Sequence, residues 1–144
     1  MSAYADTSFL VSLYVWDKNS LPAAATFARL PLPILLTPLL EIEIANTFQL
    51  RIFRKESTEE EINTSLSLFR NDVRHGIFDA RSFSNEIFRH ASQISSRSTA
   101  KFGTRALDLL HVASAVFLQS ERFYTFDKKQ AELARSEGLA VRVH

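Results

Sequence analysis

Residues 122–143, RFYTFDKKQAELARSEGLAVRV, decide the fold. Arg122 opens an aromatic and β-branched run that reads as a strand over 122–126. Asp127 follows as a favoured helix N-cap, residues 128–136 as a helix, and Gly138 as its stop. A last apolar run over 139–143 returns to strand. Two strands joined by a helix are the signature of parallel pairing, in which helices cover the sheet.

Upstream, the same alternation recurs. Residues 2–5 read as a short buried strand, and Asp6-Thr7-Ser8 opens a helix over 8–16. A second helix is expected over 22–29, a strand over 34–37, and a helix over 38–54 with Pro38 in its first turn. Thr58 and Glu61 form a capping box for a helix over 59–74, whose apolar stripe is Ile62, Leu66, Phe69 and Val73. Gly76 is its stop, and a short strand is expected over 78–83. Ile87, Ala91 and Ile94 mark a further helix ending before Gly103, and the most hydrophobic helix covers 105–119. The expected fold class is α/β, a three-layer α/β/α domain with a central, mainly parallel sheet.

A chain of 144 residues with 46% hydrophobic content fits one domain over 1–144 with a substantial core. A net charge of +1 leaves nucleic-acid binding to local basic patches. The absence of cysteine excludes disulfides and thiolate–zinc sites. No basic start precedes a long apolar stretch, and the apolar runs are interrupted by Pro31, Pro33, Pro38, Asp108 and His111. The expectation is a soluble, cytoplasmic protein with no membrane span. Gly76, Gly103 and Gly138 open no phosphate-binding loop, and His75, His90, His111 and His144 have no metal-ligand spacing. A serine-hydrolase elbow and the second aspartate of a phosphoaspartate phosphatase are also missing.

Four carboxylates sit in or beside apolar runs: Asp6, Glu43, Asp108 and Asp127. Ionised carboxylates are costly there unless a cation, a proton or hydrogen bonds compensate. Asp6 and Asp127 stand at strand ends, where open parallel sheets place their ligand crevice, and either also serves as a helix cap. Asp108 and His111 share a stripe of an otherwise apolar helix, with His111 read as a hydrogen-bonded neighbour and not a ligand. Glu41 and Glu43 point to nearly opposite sides of their helix. Glu43 is preferred because Asn46 and Thr47 extend its face with polar groups.

In order and spacing, Asp6-Thr7-Ser8 after a short strand, an internal helical Glu, the helix Arg105-Ala106-Leu107-Asp108-Leu109-Leu110-His111-Val112-Ala113, and Tyr124-Thr125-Phe126-Asp127 resemble the motifs of PIN-domain ribonucleases, particularly VapC-type toxins. The resemblance runs from Asp6 to about Val143. It implies a metal-dependent endoribonuclease in which Asp6, Glu43, Asp108 and Asp127 bind Mg²⁺, with Mn²⁺ as a substitute. Thr125 would orient a ligand or water.

Oxygen donors suit such hard ions, which lower the pKa of water and stabilise phosphoryl charge. For RNA contacts the sequence offers Arg51, Arg54, Lys55, Lys101 and Arg105. The resemblance further implies a cognate antitoxin and a homodimer, with the helices over 38–54 and 59–74 as a docking hairpin. A non-catalytic interaction module and a structure-directed DNA nuclease are the alternatives.

Overall fold

A computed structural model describes residues 2–143, with Val143 through its backbone. His144, the fourth histidine considered above, lies outside them. The elements in chain order are β1 (Ala3–Ala5), α1 (Thr7–Tyr14), α2 (Ser20–Phe27), β2 (Ile34–Leu36), α3 (Pro38–Phe53), α4 (Glu59–Arg74), β3 (Phe78–Ala80), α5 (Asn85–Phe102), α6 (Ala106–Phe117), β4 (Arg122–Thr125), α7 (Lys128–Ser136) and β5 (Ala140–Val143).

All strand pairs are parallel. One ladder runs β1-β4-β5, and a second pairs β2 with β3. β2 lies beside β1 without ladder hydrogen bonds, so the strands follow the spatial order β3, β2, β1, β4, β5. The chain therefore reverses its direction of travel across the sheet between β1 and β4. Ligand crevices open beyond the carboxyl ends of strands at such a switch point.

Alternation along β4 shows both faces covered. The Phe123 ring stacks on Tyr4, whose own ring meets His111 of α6, whereas Tyr124 packs against Phe9 of α1. Helices α1 to α4 contact one another on one side, and α5 to α7 on the other. The result is the three-layer α/β/α arrangement with a parallel sheet anticipated above. Tyr4, Phe9, Leu10, Leu36, Leu40, Ile44, Phe48 and Phe123 are fully buried between the layers. Each such side chain contributes about 1.5–3 kcal/mol by leaving water.

Several boundaries differ from expectation, each for a local reason. The first helix stops at Tyr14 instead of reaching residue 16. Val15 is extended, Asp17 accepts from Ser12, and Ser20 donates to the Val15 carbonyl, so this turn draws the chain out of the helix. α2 begins at Ser20 and ends at Phe27, two residues earlier than expected at each end. β3 ends at Ala80, short of residue 83, because its partner β2 ends at Leu36, where Thr37 already caps α3. α6 ends at Phe117, and Gln119 takes a left-handed φ of 58°. No helix among the described residues is long and apolar enough to cross a membrane.

Candidate active site at the carboxyl end of the sheet

Asp6 follows the last residue of β1 and is buried at 2% exposure. Its backbone N–H donates to the Tyr124 carbonyl, extending the β1–β4 pairing by one step and holding the residue between the two strand ends. Oδ1 accepts from the Phe9 N–H at 3.0 Å as the cap of α1, and from the Ser8 hydroxyl at 2.7 Å. Oδ2 accepts from the Thr125 hydroxyl. Burial nevertheless pushes the Asp6 carboxyl above its ordinary range, against the opposing influence of Ser8, Thr125, the nearby His111 and the Phe9 N–H.

Thr125 links two acidic residues. It donates to Asp6 and accepts from the Asp127 N–H at 2.9 Å. Asp127 in turn caps α7 through the Lys129 and Gln130 N–H groups, all on Oδ1, leaving Oδ2 without a protein donor among the described residues. A hydroxyl two residues before the acid is thus what couples the end of β4 to the end of β1.

On the α6 side of the sheet, His111 is buried between Tyr4 and Glu43. Its Nε2 bonds Glu43 Oε1, and its Nδ1 lies 2.6 Å from the Tyr4 hydroxyl. A carboxylate only accepts, so Nε2 carries the proton shared with Glu43, and Nδ1 shares the second bond with the Tyr4 hydroxyl. Glu43 is thereby held toward α6. One turn earlier on α6, Asp108 is half-buried, and burial, then the charges of Asp127 and Glu43, push its carboxyl up while His111 and the backbone of the cap residue Arg105 oppose them.

Glu43, Asp108 and Asp127 line one cleft of about 530 Å³, together with Gly103, Arg105, Ala106, Leu107 and Lys129. Asp6 does not line this cleft but is joined to Asp127 through Thr125. Glu41 is exposed and lines a different depression, with Ala45, Leu66 and Val73. The structure therefore brings Glu43, Asp108 and Asp127 to one cleft, ties Asp6 to Asp127 through Thr125, and turns Glu41 away.

The PIN domain family model matches residues 3–136. This chain belongs to the PIN domain family. Solved structures with the same fold include the Mycobacterium tuberculosis toxin VapC20, described as cleaving the sarcin-ricin loop, at TM-score 0.70 and 15% identity over 96% of both chains. FitAcB from Neisseria gonorrhoeae is similar at TM-score 0.69 and 18% identity, covering 96% of this chain and 95% of that one. VapBC2 from Rickettsia felis, solved with a promoter DNA fragment, is similar at TM-score 0.69 and 15% identity over 100% and 99% of the two chains. No curated protein sequence matches the chain.

Sequence reasoning misses parts of this PIN domain's site. Lys129 reads with Lys128 as an ordinary solvated first turn, yet it lines the cleft. Its place two residues after the Asp127 cap, on the same exposed turn, is the available signal. Ser8 reads as part of a cap motif, whereas its hydroxyl both donates to Asp6 and accepts from the Phe126 N–H. Of the five basic residues offered for RNA, Arg105 alone lines the cleft. Arg51 is turned to Glu56 and Ser57, and the Lys101 ammonium lies over the Phe102 ring.

The donors fit a hard divalent cation by their chemistry. They are oxygen-only, they share a cleft, and the mutual charge of Asp127, Glu43 and Asp108 is what a cation would relieve. Among the described residues no three histidine, aspartate or glutamate side chains are drawn into a ready-made cage.

Proposed function

We infer that this PIN domain is a metal-dependent endoribonuclease, the VapC-like toxin of a toxin–antitoxin pair. The observation that carries the reading is the cleft by the β1/β4 switch point, where three carboxylates lie with two cationic side chains and Thr125 ties one of them to a buried fourth carboxylate. A bound Mg²⁺ or Mn²⁺ would supply charge stabilisation on phosphoryl oxygens and a lowered pKa for water. Glu43, Asp108 and Asp127 are the side chains that would hold it, with Asp6 joined to the acidic set through Thr125.

The remaining tasks fall to the protein. Arg105 and Lys129 flank the carboxylates and provide charge-assisted bonds to the phosphate of an approaching RNA strand. Thr125 and Ser8 keep the Asp6 carboxylate in one orientation, and His111 does the same for Glu43. Preorganised groups of this kind need no rearrangement as charge develops on the phosphate.

An antitoxin is the proposed protein partner, in keeping with the complex described for VapBC2. The α3–α4 hairpin offers the apolar surface, with Ile42 at 63% exposure and Leu68 at 52%. The same surface suits a second copy of the chain, giving a homodimer. Incubating the purified protein with total RNA, with single-stranded DNA and with duplex DNA tests the substrate assignment. With Mg²⁺ or Mn²⁺ present, RNA is expected to be cut and both DNAs spared. Cleavage of DNA at the RNA rate would replace the ribonuclease by a general nuclease, and no cleavage of anything would favour an interaction module.

A further inference from the structure

A second polar crevice lies on the other face of the β4–β5 edge. In the parallel register Tyr124 stands opposite Arg142, and Arg122 opposite Ala140. Side chains alternate along a strand and match across a ladder, so Arg122, Tyr124 and Arg142 share one face. Tyr124 marks that face as the α1 side, since it packs on Phe9. The opposite wall comes from α2 through Pro22 and Ala25 and from the turn after it through Arg29 and Leu30, enclosing a crevice of about 420 Å³.

Three arginines therefore line one crevice, Arg142 with its Nη1 3.5 Å from the Val141 carbonyl, and none of the described residues lining it is an Asp or Glu. Among the described residues Arg29, Arg122 and Arg142 form no ion pair, whereas Arg51, Arg81, Arg89 and Arg97 each meet an acid. Like charges gathered over an apolar floor are unfavourable until an anion enters. Guanidinium forks match phosphate oxygens bidentately, and one phosphate can accept from several of them. Tyr124 is buried at 3% exposure, so its ring is no platform for a stacked base.

We propose that the Arg29–Arg122–Arg142 crevice is a phosphate-binding subsite that grips the backbone of the RNA away from the cleaved bond. The ligand's identity as RNA rests on the ribonuclease reading; the affinity for phosphate rests on the crevice itself. Position supports the assignment. Ala5, Tyr124 and Arg142 form one cross-strand row, and Ala5 immediately precedes Asp6. With strands ~4.8 Å apart, the Arg142 backbone lies roughly 10 Å from that of Ala5. The subsite would read no sequence, because phosphate contacts position and do not specify.

The test compares the parent with the double variant Arg29→Gln/Arg142→Gln and with Arg142→Lys, all checked for an unchanged melting curve. Both mutated side chains are exposed, so the fold is expected to tolerate them. Binding of a long single-stranded RNA is measured by fluorescence anisotropy over a salt series, and cleavage kinetics are measured on that RNA and on a short RNA confined to the cleft. The double variant is expected to bind the long RNA about tenfold more weakly, with the salt slope reduced by about 0.7 for each phosphate it no longer neutralises. KM for the long RNA should rise with kcat unchanged, the short RNA should be unaffected, and Arg142→Lys should retain part of the affinity.

Equal binding of the long RNA by parent and double variant overturns the proposal. If binding of inorganic phosphate falls while RNA binding does not, the crevice serves free phosphate and the RNA assignment is overturned. If only binding of an acidic partner peptide weakens, the crevice is a protein-docking site and the proposal is likewise overturned. A parent that cleaves no RNA, yet shows the same tenfold drop in RNA binding in the double variant, keeps the subsite and removes the ribonuclease reading.

Discussion

Asp108 has the most instructive setting of the acidic residues, because its carboxyl is raised first by burial and then by Asp127 and Glu43. A carboxyl whose folded pKa lies above its unfolded value makes the folded state bind the extra proton. Its destabilising effect begins above the unfolded value of about 3.9 and is complete once pH exceeds the folded value. At neutral pH, metal-free Asp108→Asn is therefore expected to melt at or above the parent temperature and to gain less from Mn²⁺, since ligand stabilisation follows affinity for the folded state. Paired melting curves with chelator and with Mn²⁺ check this. A metal-free variant melting well below the parent would make Asp108 a structural residue.

Thr125 behaves in the opposite sense. Thr125→Val removes a donor from buried Asp6 and an acceptor from the Asp127 N–H. Leaving a buried polar group unsatisfied costs about 1–3 kcal/mol, so denaturant unfolding should show destabilisation of that order. An unchanged unfolding midpoint would show that the bridge between the two strand ends does not hold them. The sequence exposes Thr125 only as a hydroxyl two residues before an acid; its bonds to both Asp6 and Asp127 depend on β1 and β4 being neighbours, which is a tertiary fact.

Elements are legible where their signals are local. The Thr58–Glu61 capping box and the stripe of Ile62 and Phe69 delimit α4 over the same residues in sequence and structure. Asp127 as cap and Gly138 with its φ of 86° do the same for α7. Boundaries shift where a distant partner decides them, as when β2 stops at Leu36 and its last bond to the β3 side is from the Arg81 N–H, or where side chains such as Asp17 and Ser20 fold the end of α1. Thr58→Ala removes one hydrogen bond of the capping box and should cost about 1 kcal/mol of stability. RNA cleavage should be untouched, since α4 supplies no residue to the cleft. Impaired cleavage at unchanged stability in this variant would mean that α4 takes part in the site.

Across the whole molecule, the alternation of strands and helices is enough to anticipate a parallel three-layer fold, and the switch point then decides where side chains distant in sequence meet. Which of two neighbouring glutamates enters the cleft depends on how α3 is rotated on the sheet, and here Leu40, Ile44 and Phe48 set it by facing the core. Glu43 is drawn to His111 on the opposite helix layer, and Glu41 is left outside. The basic residues are harder to read, because Arg105, Lys129, Arg29 and Arg142 acquire their company only through packing.

The claim that this cleft holds a divalent cation for RNA cleavage is tested most directly by assaying parent, Glu43→Gln and Glu41→Gln on one RNA, first in excess chelator and then after Mn²⁺ is restored. All three are expected to be inactive in chelator. On restoration the parent and Glu41→Gln should recover, while Glu43→Gln stays about 100-fold or more below them. Undiminished cleavage by the parent in chelator, or full recovery of Glu43→Gln with Mn²⁺, would contradict the account.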